Sequence, residues 1–278
     1  MTRKIEYKKL LTGIKIPALG LGTWKMGRVL TVDKSSDQTY ISAIKRAIHL
    51  GLVHIDTAEL YGHGHAELLV GKAIKSTNRK NLFITTKISP HHLFTSGQIK
   101  RHLEASLVRL DTSYVDLYLV HWPNPAVPIK RIMKSFDKLV EEKLTRFIGV
   151  SNFSLNQLKA ARNWALHPIV TNQVEYNLLN RQAEKDLLPF CQKHQIILTA
   201  YSPLAQGQIV NGRFKILDSI AEKYQKTAVQ VAIRWLLDKP NVITIPKATS
   251  KSHLLEIYQS LGWHLGKKDQ DIIGQAFS

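Results

Sequence analysis

LVHID (52–56), AELLVGKAIK (66–75), LFITTK (82–87), IKRHLEASLVRL (99–110) and YVDLYLV (114–120) follow one another between residues 52 and 120. The first, third and fifth are short runs rich in β-branched and aliphatic residues. The second and fourth space their apolar residues at helical three-and-four intervals. Strand, helix, strand, helix, strand is the rhythm of a parallel sheet with crossover helices. Outward from this stretch the strand type recurs as ALGLGT (18–23), RFIGV (146–150), PIVTNQV (168–174), IILTAY (196–201) and NVITIP (241–246), making eight. Helical patterns lie between them: ISAIKRAIHLG (41–51), IMKSFDKLVEEK (132–143), LNQLKAARNWAL (155–166), EKDLLPFCQKH (184–194) and TAVQVAIRWLLDK (227–239).

Eight such units, with no composition break, proline-rich linker or low-complexity segment, predict an α/β fold of the closed (β/α)8 TIM-barrel type, one domain over residues 1–278. The segment IEYKKLLTGIKIP (5–17) carries two short alternating runs around Thr12 and Gly13 and reads as an N-terminal β-hairpin plugging the bottom of the barrel. An open dinucleotide-binding sheet is the competitor. Its Gly-x-Gly-x-x-Gly turn is missing: neither Gly20, Gly22 and Gly27 nor Gly62, Gly64 and Gly71 fit the spacing.

The chain is 44% hydrophobic and 22% charged, a globular balance. No run approaches the roughly 18 apolar residues of a membrane span, and the N-terminus offers no continuous apolar core for a signal, so a cytoplasmic protein without membrane attachment is expected. The single cysteine, Cys191, falls in a helical pattern and reads as a buried thiol. The net charge of +18 is spread over positions such as Lys8, Lys75, Lys130 and Lys267 without interleaved aromatics, so it reads as solvated surface and not as a specific nucleic-acid site.

Barrel chemistry gathers at the C-terminal ends of strands. Three successive strands end in polar residues, Asp56, Lys87 and His121, and Tyr61 lies in the loop just beyond Asp56. Singly, each has a bland reading: a strand-end Asp often caps a helix, and a lone His is usually structural. Together they form an acid–base set in which an ammonium beside a phenol lowers its pKa from about 10, and a carboxylate keeps that ammonium charged and oriented. His63, His65, His91 and His92 offer imidazoles, but with no acidic or cysteine partner evident in their spacing; the expectation is no metal, with these side chains at the rim.

IPALGLGTW (16–24), GLVHIDTAELYG (51–62), ITTK (84–87), LVHWPNP (119–125), GVSNF (149–153), TNQVEYN (171–177), AYSPLA (200–205) and IPKATSKSHLLE (245–256) together resemble the aldo-keto reductase family along nearly the whole chain. The resemblance implies NADP-dependent reduction of aldehydes or ketones, with Tyr61 as general acid, Lys87 and Asp56 as the pair tuning it, and His121 orienting the carbonyl. It further implies that Ser151, Asn152 and Gln173 hold the nicotinamide carboxamide, that Tyr201 stacks on its ring, and that Ser202 and Leu204 contact the pyrophosphate in place of a glycine-rich turn. Lys247 and Thr249, leading into a Ser-capped helix, mark a 2′-phosphate site. Glu256 matches the acid that contacts adenine.

One departure concerns His253, which stands where many NADP-specific relatives carry an arginine; Ala248 and Ile257 likewise replace polar residues common there. NADP is therefore expected to be preferred, with appreciable use of NAD. Trp24 and Trp122 are expected to wall an apolar substrate pocket, whereas Trp164, Trp235 and Trp263 read as structural. The short segment NPAVP (124–128) and the short chain after KKDQDIIGQAF (267–277) imply an open site for small carbonyl substrates: aldehydes, α-dicarbonyls and sugar-derived carbonyls. A monomer is the expected state. The alternative of another class is a cofactor-binding, redox-sensing regulatory subunit, against which stand the complete set of four residues and the lack of an appended interaction domain.

Overall fold

The computed structural model describes residues 5–9, 13, 15–28, 31–212 and 214–277. The chain begins with an antiparallel hairpin, β1 (Tyr7–Lys9) and β2 (Lys15–Pro17), with Tyr7 opposite Pro17. Thr12, which the sequence puts in its turn, lies outside the described residues. Lys8 Nζ donates to the carbonyls of Leu237 (2.6 Å) and Lys239 (3.1 Å), just ahead of the last barrel strand, and Ile16 is buried. The hairpin therefore seats on the N-terminal end of the barrel.

The barrel strands among the described residues are β3 (Gly20–Gly22), β4 (His54–Asp56), β5 (Phe83–Ile88), β6 (Val115–Val120), β7 (Thr145–Ser151), β8 (Ile169–Glu175), β9 (Ile197–Tyr201) and β10 (Val242–Thr244). Each pairs in parallel with its sequence neighbour, giving one sheet in the order β3 to β10. The two edges meet: Thr244 N–H donates to the Ala18 carbonyl at 2.9 Å and Gly22 N–H to that of Pro246 at 3.0 Å, closing the barrel. A Cβ on Gly22 would stand 2.7 Å from the Ile245 carbonyl oxygen, so glycine is what lets the seam close there. All six residues of β5 and of β6 are buried, because helices cover the outside while side chains fill the inside. That is why these strands read as continuous and not as alternating runs.

The helices are α1 (Asp37–Leu50), α2 (His65–Ile74), α3 (Ser96–Leu110), α4 (Ile129–Glu141), α5 (Leu155–Trp164), α6 (Leu187–Lys193), α7 (Gln208–Asn211), α8 (Lys215–Tyr224), α9 (Ala228–Leu237), α10 (Lys251–Tyr258) and α11 (Lys267–Ala276). Their starts follow capping chemistry: Thr95 accepts from Gln98 N, and Ser154 and Thr227 form reciprocal boxes with Gln157 and Gln230. Two helices differ from the sequence reading. The helix expected from Glu184 begins at Leu187, which puts Pro189 in the first turn, where its missing N–H costs nothing. Helix α8 escaped notice, although Leu217, Ile220 and Ala221 carry helical spacing and are buried.

Cys191 is fully buried, and burial pushes its thiol up to about 12, so it is a packing group. Trp235 is buried as expected; Trp164 is instead exposed, with Lys130 Nζ 4.2 Å over its ring. No helix among the described residues is long and apolar enough to cross a membrane.

Candidate active site

Parallel pairing puts the ends of β4, β5 and β6 side by side, with Asp56 opposite Thr85 and Lys87 opposite Leu119. Lys87 is fully buried and its ammonium is surrounded by oxygen: it pairs closely with Asp56 Oδ1, donates to the Thr57 carbonyl at 2.9 Å, and lies 3.3 Å from the Tyr61 hydroxyl. The other carboxylate oxygen of Asp56 accepts from Gln173 Nε2 at 2.8 Å. Across the mouth, the His121 ring meets the Tyr61 ring edge-on, with centroids 5.6 Å apart. Asp56, Tyr61, Lys87 and His121 are thus gathered at one place by three adjacent strand ends.

Electrostatics at this cluster modify the sequence argument. Burial raises the Tyr61 pKa above the ordinary phenol value by more than the Lys87 ammonium lowers it. The expected net lowering is therefore corrected: desolvation of a phenolate outweighs one nearby cation. Burial opposes the charge on Lys87 too, yet Asp56 and Tyr61 lift the ammonium above the ordinary lysine value. Burial, helped by Lys87, brings His121 down to about 3, so its imidazole is neutral at physiological pH.

A cleft of about 700 Å³, within the usual range for small-molecule sites, opens over this cluster. Trp24, Trp122, Ser151, Asn152 and Gln173 line it near the barrel mouth, and Tyr201, Ser202, Leu204 and Lys247 line its continuation. Register explains the grouping, since Ser151 pairs with Gln173 and Glu175 with Tyr201. The polar groups are also tied together: Ser151 Oγ donates to the Gln173 carbonyl (2.9 Å), Asn152 Nδ2 to the His121 carbonyl (3.0 Å), and Tyr201 OH to Asn152 Oδ1 (3.1 Å). Asn152 (φ 60°) and Ser202 (φ 49°), each just past a strand end, adopt left-handed backbone, conformations that concentrate at functional sites.

Thr249, His253 and Glu256 are not part of the cleft lining. They lie beyond Lys247, on the loop into α10 and on that helix, where Ser250 Oγ accepts from His253 N at 3.1 Å. Sequence reasoning missed Lys25 and Glu175, which do line the cleft. The adjacency of Lys25 to Trp24 and of Glu175 to the β8 terminus was the available signal. Lys25 and burial together lower the Lys247 pKa, burial contributing most.

The histidines separate into distinct settings. His65 Nε2 meets Asp37 Oδ1 at 2.7 Å, while His91 is exposed. His92 does have an acidic partner, contrary to the sequence reading: Glu59 stands beside it together with His102, a trio brought together by folding and not by spacing.

A (β/α)8 barrel carrying a buried lysine–carboxylate pair beneath a phenol, with a neutral imidazole facing it, belongs to the oxidoreductase barrels that work on small molecules in a strand-end cleft. The chain belongs to the aldo/keto reductase family, whose model matches residues 18–276. It is 36% identical over 270 residues to methylglyoxal reductase YeaE of Escherichia coli (strain K12), covering 95% of this chain and 92% of that protein. The crystal structure of the thermostable aldo-keto reductase Tm1743 with the inhibitor epalrestat superposes with a TM-score of 0.94 at 44% identity, covering 97% of this chain and 99% of that one. An aldo/keto reductase from Klebsiella pneumoniae, in complex with NADP and acetate, gives a TM-score of 0.88 at 33% identity over 98% and 95% of the two chains. The family assignment reached from the motifs is borne out, as is the barrel.

Proposed function

We propose that this protein reduces small aldehydes and α-dicarbonyl compounds such as methylglyoxal, using NADPH, with Tyr61 as the proton donor. The observation that carries this reading is the chain Asp56–Lys87–Tyr61 beneath the cleft, with His121 against the phenol. Support for the substrate class comes from similarity to a methylglyoxal reductase and from the cleft edge, where Trp122 stands 48% exposed.

The cleft suits a dinucleotide: polar side chains line it beside Asp56, Tyr61 and His121, and it carries the ammonium groups of Lys25 and Lys247 for phosphate. Ser151, Asn152 and Gln173 would hold the nicotinamide amide, Tyr201 its ring, Ser202 and Leu204 the pyrophosphate, and Lys247 and Thr249 the 2′-phosphate. His253 and Glu256, on the exposed side of α10, would flank the adenosine end. When bound, NADPH supplies the hydride to the carbonyl carbon. Tyr61 donates its proton to the carbonyl oxygen, so no free alkoxide forms. His121, being neutral, donates a hydrogen bond to that same oxygen and orients it. Lys87, held by Asp56, stabilises the phenolate left on Tyr61, and Trp24 and Trp122 flank the apolar part of the substrate.

Consumption of NADPH and NADH with a panel of aldehydes, α-dicarbonyls and ketones tests this directly. Turnover of methylglyoxal with NADPH ahead of NADH is the expected result; tight NADPH binding without turnover of any carbonyl would overturn it in favour of a cofactor-sensing role. His253→Arg is expected to raise the ratio of kcat/KM for NADPH over NADH by about tenfold, roughly 1.4 kcal/mol for one added contact to phosphate. An unchanged ratio removes His253 from the cofactor site.

A further inference from the structure

Glu59, His92 and His102 come from three separate segments: the loop after β4, the short turn after β5 and the second turn of α3. Glu59 is buried, and its carboxylate receives both imidazoles, His92 Nδ1 on Oε1 and His102 Nδ1 on Oε2, each at 2.8 Å. The two rings stack nearly parallel, centroids 3.6 Å apart and planes 15° apart, with one Nδ1 on each oxygen of the carboxylate. All three ligand atoms lie within 4.8 Å of one another. Glu59 is itself held in place, its Oε1 accepting from Ser89 N at 2.6 Å and its own N–H donating to the Lys87 carbonyl at 3.2 Å.

We propose that these three side chains form a binding site for a zinc-class divalent cation, separate from the reductase cleft. Two imidazoles and one carboxylate are the donor set of three-ligand zinc sites that keep a fourth position for water. Two nitrogen donors disfavour magnesium and calcium, which take oxygen. The buried carboxylate is anchored by the Ser89 amide, as metal ligands are when outer hydrogen bonds orient them. The imidazole side chains are 34% and 30% exposed, so an ion can reach them from solvent. On binding, the Nδ1 atom of each ring gives up its hydrogen bond to Glu59 and bonds the metal through its lone pair, the displaced proton leaving to Nε2 or to solvent, and Glu59 trades its two imidazole hydrogen bonds for one metal bond. The ion would tie the Tyr61 loop to the segment that follows Lys87, because Glu59 lies two residues before Tyr61 and Ser89 two after Lys87.

Chelator-treated native protein titrated with zinc chloride by calorimetry should take up one equivalent at this site, and zinc should raise its Tm. Substituting cobalt(II) should give the strong visible bands of a tetrahedral site. His92→Gln and His102→Gln should each weaken zinc binding by about 100-fold, as loss of one of three protein ligands. Both variants should retain the native Tm in chelator to within a few degrees, because each replaces a partly exposed side chain. The proposal is overturned if native protein binds no zinc, if the double variant binds it with native affinity and stoichiometry, or if cobalt gives only the weak spectrum of octahedral coordination. Should the double variant fail to fold, the native cobalt spectrum and either single variant decide the matter.

Discussion

Replacing Tyr61 with Phe is expected to leave NADPH affinity near native and to lower kcat for carbonyl reduction by about 10²–10⁴-fold, the usual contribution of a positioned general acid. The substitution removes only the hydroxyl 3.3 Å from Lys87 Nζ; the ring contact with His121 is retained. Cofactor affinity is read by fluorescence titration and kcat by NADPH consumption, so binding and chemistry are separated. Near-native reduction would sink the proposed proton donor. The pH profile gives a second reading. A general acid must be protonated, and the Tyr61 pKa is raised above the ordinary value of about 10. Reduction should therefore hold through neutral and mildly alkaline pH and fall only above about 10. Oxidation of an alcohol needs the phenolate and should rise over that same range. His121, down near 3, should contribute no limb between pH 5 and 9.

The second large effect concerns stability. Lys87→Met should destabilise the fold by about 3–5 kcal/mol, because breaking a buried ion pair from one side leaves an uncompensated charge. Asp56 would keep its bond from Gln173 but lose its cation in a site where neither side chain is more than 2% exposed. Urea unfolding of native protein, Lys87→Met and the double variant Lys87→Met/Asp56→Asn measures this; the double variant should recover much of the loss. A single variant within about 1 kcal/mol of native would mean that the pair adds little to stability. The sign with pH follows from the raised Lys87 pKa: its stabilisation is fully present below the unfolded lysine value of about 10.4 and is lost only as pH climbs through the higher folded value. The destabilisation should therefore be the same at pH 6 and pH 8.

Much of this was legible in the chain because it is written in local periodicity. LFITTK and YVDLYLV read as strands, and β5 and β6 lie within a residue or two of them. Asp56, Lys87 and His121 were legible as a set because a strand-end position carries meaning in a closed barrel. The start of α6 was less so, since a helical pattern says where apolar residues recur and not where the backbone can begin its hydrogen bonds.

Alternating strand and helix patterns, their strand-end polar residues and their signature strings determined the barrel, the family and the neighbourhood of Asp56, Tyr61, Lys87 and His121, since each of these depends on residues close in sequence. Only the tertiary structure decided the net direction of the Tyr61 pKa, because burial is a sum over atoms from many strands and outweighs the one cation that spacing revealed. It alone separated Lys247, on the cleft, from Thr249, His253 and Glu256 beyond it. It alone brought Glu59 and His102 to His92, because parallel strand pairing converts separations of 33 and 43 residues into hydrogen-bond distance, a convergence that no local pattern encodes.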